Sequence, residues 1–133
     1  MERSKDWFKQ SQKDLSAAKS SLDSEHFEWT CFQAQQSAEK AMKALLLSRN
    51  IKALYHSLVY LHNRWVEYLE TKGETMSKEF LEKMQELDHH YLQARYPNSF
   101  SEGYSAEYYN KRKAQECVDC AETIISYVEG QIQ

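Results

Sequence analysis

The sequence predicts an all-α fold, a five-helix up-and-down antiparallel bundle. Two observations carry this expectation. Three glycines and one proline in 133 residues are too few turn residues for a sheet-rich protein. Apolar residues also recur at intervals of three and four through five long segments, which is the period of a helix burying one stripe. No linker, internal repeat or low-complexity stretch divides the chain, so residues 1–133 are expected to form one domain.

The first helix is predicted over residues 4–22, where Phe8, Leu15, Ala18 and Leu22 form the stripe. The second is predicted over 27–48. Its inward members are Phe27, Cys31, Ala34, Ala38, Ala41, Met42 and Leu45, and the alanines would let a neighbour approach closely. "SRNIKALYH" breaks the pattern and serves as a connection. The third helix starts near His56 or Ser57, with Leu58, Leu61, Trp65, Tyr68 and Leu69 on one side, and closes at "TKGET", where Gly73 suits a C-terminal cap. Ser77 is the predicted N-cap of the fourth, whose stripe is Phe80, Leu81, Met84, Leu87 and Tyr91. A residue before proline avoids the helical region, so this helix should end by Tyr96. Residues 97–105 read as a loop, and the last helix is predicted over 106–129.

Composition narrows the function classes. The net charge of −3 gives no global basic field for nucleic acid. No run approaches the ~20 apolar residues of a membrane span, and "MERSKDWFKQ" has no signal-peptide core, so a cytoplasmic protein without membrane contact is expected. Three cysteines then read as free thiols. "CVDC" has zinc-knuckle spacing, but Cys117 and Cys120 lie in a regular helix with no second pair at the required distance; a structural thiol fits better. His89 and His90 are adjacent on a helix and point about 100° apart, so a metal site would have to gather ligands from several helices. No cofactor or metal is expected. Glycines at 73, 103 and 130 make neither a Walker loop nor a dinucleotide fingerprint.

Two polar groupings remain. Gln33, Gln36, Lys40 and Lys43 are spaced to share one face of the second helix. They make either a solvated face, the usual fate of such charges, or a strip facing phosphate. Asp88, Tyr91 and Arg95 share a face at the end of the fourth helix. An aspartate on the same helix face as an arginine would hold the guanidinium in place beside tyrosine rings, a grip for phosphate and base. The alternative is that these residues tie the helix end to its loop.

The segments "KDLSAAKSSL", "WTCFQAQQSAEKAMKALLLSRN", "HSLVYL", "DHHYLQARYPN" and "AQECVDCAETIISYVE" resemble the HEPN domain family across nearly the whole chain. The resemblance implies a bundle like the substrate-binding subunits of nucleotidyltransferases. It implies a homodimer, and partnership with a minimal nucleotidyltransferase in a two-component, toxin–antitoxin-like system. The positions matching the family pattern are Gln36, Glu39, Lys40, Lys43, His56, Asp88, Tyr91, Arg95, Tyr96 and Pro97. On this basis a nucleotide of the ATP or GTP class is expected to bind at Arg95, Tyr91, Asp88, Lys40, Lys43, Gln36, His56 and Tyr96, without catalysis. Some branches of the family are ribonucleases with an arginine, four to six residues and a histidine. After Arg95 the positions for that histidine hold Phe100, Ser101 and Glu102, so the motif is missing there. Arg49 and His56 have the spacing in the wrong connection, which chance explains. A metal-independent ribonuclease toxin acting on RNA through His56, or a purely structural interaction module, is the alternative. Tyr104, Tyr108 and Tyr109 lie outside the core stripes and are expected either at an interface or over the bundle's end.

Overall fold

A computed structural model describes residues 2–133. Among the described residues there are five principal helices: α1 (Ser4–Asp23), α2 (Phe27–Ser48), α3 (Leu58–Thr71), α4 (Lys78–Asp88) and, after the one-turn α5 (His90–Gln93), the long α6 (Lys111–Ile132). Two single 3₁₀ turns, Pro97–Ser99 and Ser105–Tyr108, shape the α5–α6 connection, and no strand occurs among the described residues.

Local signals account for most of the boundaries. Ser57 accepts the amide of Tyr60 at the start of α3, Ser77 that of Glu79 before α4, and Asn110 that of Lys113 before α6. Gly73 takes φ +69° after α3, the left-handed conformation that ends helices. Asn50 does the same after α2 with φ +59°, which lets the Ile51 amide reach back to the Leu46 carbonyl. The fourth helix, predicted to run towards Tyr96, instead ends at Asp88 and resumes for one turn. The last helix starts at Lys111 rather than near 106, because residues 105–108 form a 3₁₀ turn and Asn110 supplies the cap.

The core follows the stripes. Cys31, Ala34, Ala38, Ala41, Met42 and Leu45 of α2 meet Ala114, Cys117, Val118, Ala121 and Ile124 of α6, with Leu58, Leu61, Trp65, Met84 and Leu87 closing the other side. Small side chains along α2 let α1 and α6 lie close on either side of it. Trp65 donates its indole N–H to the Tyr127 hydroxyl at 2.8 Å, and Phe80 packs against the same tyrosine, so α3, α4 and α6 meet at one polar-tipped aromatic cluster.

Side-chain pairs give the helix directions. Trp7 lies beside Lys43 and Ser21 beside Gln33, so α1 and α2 are antiparallel. Phe80 of α4 lies beside Tyr127, while His90 of α5 and Cys117 come together, so the path from α4 into α5 runs antiparallel to α6. Within this bundle one connection does not alternate. Gln35 of α2 bonds the His56 carbonyl just before α3, and Arg49 at the end of α2 lies over Trp65 further along α3. Residues 49–57 therefore run back beside α2, and α3 starts next to its middle. This return places His56 and Ser57 on the surface where α4 ends. No helix among the described residues is long and apolar enough to cross a membrane.

Burial separates the two kinds of leucine in this fold. Leu61→Ala removes a fully buried side chain and should cost about 2–5 kcal/mol. Leu54→Ala, in the exposed connection, should change stability by less than about 0.5 kcal/mol. Urea unfolding followed by circular dichroism measures both.

Candidate functional site

The site begins with a carboxylate where periodicity would put an apolar residue. Glu39 lies four positions after Gln35 and four before Lys43 on α2, and it is 2 % exposed. Burying it is tolerable only with charged or hydrogen-bonding partners. Lys43 Nζ reaches its Oε2 at 3.2 Å, and His56 Nδ1 stands 3.2 Å from both of its oxygens. Lys43 is buried in turn, with its ammonium over the Trp7 ring of α1. With Nδ1 directed at Glu39, the Nε2 edge of a ring whose side chain is 60 % exposed faces outward.

Asp88 performs a different task from the one expected of it. It does not orient Arg95. Its Oδ1 accepts the Leu58 amide at 2.8 Å, and its Oδ2 accepts the Val59 amide at 3.0 Å and the Ser57 hydroxyl at 3.1 Å. An anion there satisfies the free amides of the α3 N-terminus and meets the positive end of its dipole. Gln35, fully buried, donates its amide N–H groups to the His56 carbonyl at 3.0 Å and more weakly to Asp88 at 3.4 Å. Gln36 donates to Gln35 Oε1 at 2.8 Å. The start of α3, the end of α4 and the middle of α2 are thus stitched together beneath His56.

Tyr91 and Arg95 stand on top of this frame. The Tyr91 ring stacks on His56 with centroids 5.5 Å apart and planes 19° from parallel. Arg95 donates Nε–H to the Tyr91 carbonyl at 3.0 Å. Its guanidinium carbon then lies 4.4 Å from the Phe32 ring centroid, 4.8 Å from Tyr91 and 4.9 Å from Tyr96. Three rings hold the group and, among the described residues, no carboxylate neutralises it. His56, Ser57, Asp88 and Tyr91 line an adjacent groove of about 200 Å³.

The expected site residues therefore separate. His56, Asp88, Tyr91, Arg95 and Tyr96 come together, with Asp88 as scaffold. Gln36 and Lys43 lie behind them, bonded within α2. Lys40 is elsewhere: it pairs with Asp14 of α1 beside a hollow lined also by Arg3, Asp6, Trp7 and Gln10. The polar face of α2 is neither a solvated face nor an open phosphate strip, since α1 covers it through Trp7, Asp14 and Ser21. Arg49 is also remote from the groove, bonding the Gln131 carbonyl and lying over Trp65. Arg95 and His56, which no sequence spacing links, both contact Tyr91. Sequence reasoning missed Phe32 and Gln35 and gave Glu39 no role in the site; a carboxylate within an inward-facing arc was the available signal.

Tyr109 is buried, with its hydroxyl 2.6 Å from His90 Nδ1, and burial raises its pKa. Tyr104 and Tyr108 are exposed, the latter stacked on Phe100. Cys117 meets Cys31 and His90 rather than Cys120. The neighbouring Cys31 thiol, and then burial, push its thiol well up, while burial pushes Cys120 up to about 11.

This geometry sits in a family-wide fold. A family model for the HEPN domain matches residues 4–131, and the chain belongs to that family. It is 27% identical over 135 residues to a Methanocaldococcus jannaschii protein named "Putative toxin MJ1304", across 92% of this chain and 84% of that one. The crystal structure of TT1696 from Thermus thermophilus matches with a TM-score of 0.91 and 34% identity, covering 98% of this chain and 99% of that one. ST0689, described as an archaeal HEPN homologue, matches over 100% of both chains with a TM-score of 0.79 and 35% identity. An HEPN domain protein from Thermotoga maritima matches at 0.72 and 25% identity, over 93% of this chain and 94% of its own.

The partners of these side chains set two expectations. Asp88→Ala leaves two α3 amides without their acceptor and should lower stability by about 1–3 kcal/mol, read by urea unfolding. At pH 8 in the folded protein, iodoacetamide should modify Cys120 slowly and leave Cys31 and Cys117 untouched until denaturant is added, as followed by peptide mass spectrometry.

Proposed function

We propose that the chain binds a nucleotide of the ATP or GTP class on the His56–Tyr91–Arg95 surface. In this reading it is the non-catalytic substrate-binding partner of a minimal nucleotidyltransferase in a two-component, toxin–antitoxin-like system. The observation that carries the reading is the Arg95 guanidinium, oriented by the Tyr91 carbonyl and three rings yet free of any carboxylate among the described residues. A cation held so rigidly loses little entropy on meeting a phosphate, and its planar fork suits two phosphate oxygens. Tyr96, about half exposed, offers a face for a base, and His56 supplies a further nitrogen at the groove. The exposed Tyr104 and Tyr108 would serve a homodimer contact.

Calorimetric titration with ATP and GTP tests this reading. Arg95→Ala should weaken binding about tenfold or more, equivalent to ~1.4 kcal/mol. Equal affinity in the two proteins removes Arg95 from the site, and no binding to the wild type ends the proposal for the isolated chain.

A second reading has its own observation. A buried carboxylate directed at His56 Nδ1, with Nε2 turned outward, is the arrangement that orients an imidazole for general acid–base chemistry. Arg95 against the same tyrosine could then stabilise charge on a phosphodiester, and the name of the relative from M. jannaschii agrees with a toxin role. It predicts RNA cleavage that persists in a chelator and is lost in His56→Ala. RNA left intact by the wild type at high protein concentration counts against it.

A further inference from the structure

The interior of the bundle holds, away from the groove, one cluster of side chains able to ligate a metal ion. Cys31 of α2, His90 of α5 and Cys117 of α6 bring two sulfurs and a ring nitrogen within 4.8 Å of one another. All three residues are sealed from solvent, at 0, 1 and 0 % exposure. Cys31 and Cys117 belong to the apolar core, where the Cys31 thiol also donates to the Lys113 carbonyl at 3.7 Å, and His90 joins them there as a third group able to ligate a metal ion.

Two thiolates and an imidazole are a donor set that suits zinc. Donors bound at about 2.0–2.3 Å around a tetrahedral ion stand roughly 3.3–3.8 Å apart, so small side-chain rotations would close the cluster on an ion. The donors come from three separate elements, so an ion held by them would tie those elements together. The His90 ring already has its orientation fixed, with Nδ1 at 2.6 Å from the Tyr109 hydroxyl and Nε2 at 3.3 Å from Glu86 Oε1. Ligation would use the lone pair of one of these nitrogens and leave the other contact to hold the ring.

We propose that Cys31, His90 and Cys117 bind one zinc ion within the bundle. On binding, each thiol gives up its proton to solvent, and the two thiolates balance the charge of the ion. The ion would pin α5 to α2 and α6. Because His90 directly precedes Tyr91, it would also hold the Tyr91 ring against His56 from inside the protein. This site stands apart from the groove and does not depend on any reading of what the groove binds.

The test uses the full chain, stripped of metal with a chelator in denaturant and refolded under reducing conditions. Cobalt(II), titrated as a spectroscopic stand-in for zinc, should bind in a one-to-one ratio and give a near-ultraviolet thiolate-to-cobalt band. Zinc should bleach the band and raise the midpoint of thermal unfolding. Cys117→Ser and His90→Gln should lose or strongly weaken the band, and Cys120→Ser should keep it. Circular dichroism establishes that each variant is folded. A folded wild type that shows no thiolate band overturns the proposal whatever the variants do. A band retained at full strength in Cys117→Ser, or lost in Cys120→Ser, overturns it as well.

Discussion

The structure turns on how one buried carboxylate is accommodated. Glu39 sits in the middle of the most enclosed helix, and it is acceptable there because Lys43 and His56 meet it from two directions. Each partner draws in a further element. Lys43 carries Trp7 and hence the start of α1, while His56 carries the return segment that leads into α3. Removing Lys43, which is buried with Glu39, leaves a carboxylate with little water to turn to, a change that typically costs about 3–5 kcal/mol. Replacing the whole set by apolar groups could be harmless to stability. What an apolar replacement would lose is the orientation of His56.

That orientation gives the surface its chemistry. Asp88 and Gln35 use their polar atoms on backbone and on each other, fixing the start of α3 against the end of α4 and under His56. The side chains above them are left with unused capacity: an imidazole edge, a tyrosine face and a guanidinium. Such a division between a scaffold that is fully bonded and a surface that is not is what a preorganised binding site requires. The chain's membership of the HEPN family fixes the bundle on which this surface is built.

Helices were the most legible feature of the sequence, because their signals are local. The bounds of α2, the Ser77 cap and the Gly73 stop all follow from spacing and side-chain type within a few residues. Partnerships between distant segments were not legible. The face holding Gln33, Gln36, Lys40 and Lys43 has the pattern of a wet surface, and only α1 lying across it makes it internal. Asp88 and Arg95 lie about two helical turns apart on paper, yet a helix start from elsewhere in the chain offers Asp88 better donors than a guanidinium. The sequence leaves Tyr109 open between an interface and the bundle's end, because its stripe gives no hint of His90. Arg95 and His56 are separated by thirty-eight intervening residues, and the thiols of α2 and α6 by more still; no periodicity reports such meetings.

The claim that Glu39 aims His56 at the groove can be tested in a single spectrum. Nitrogen-15 chemical shifts of the neutral His56 imidazole report which ring nitrogen holds the proton. The account predicts the Nδ1–H tautomer in the wild type, with the proton directed at the Glu39 carboxylate, and a mixture of tautomers in Glu39→Ala. A wild-type ring that holds its proton on Nε2, or the same tautomer in both proteins, would contradict it.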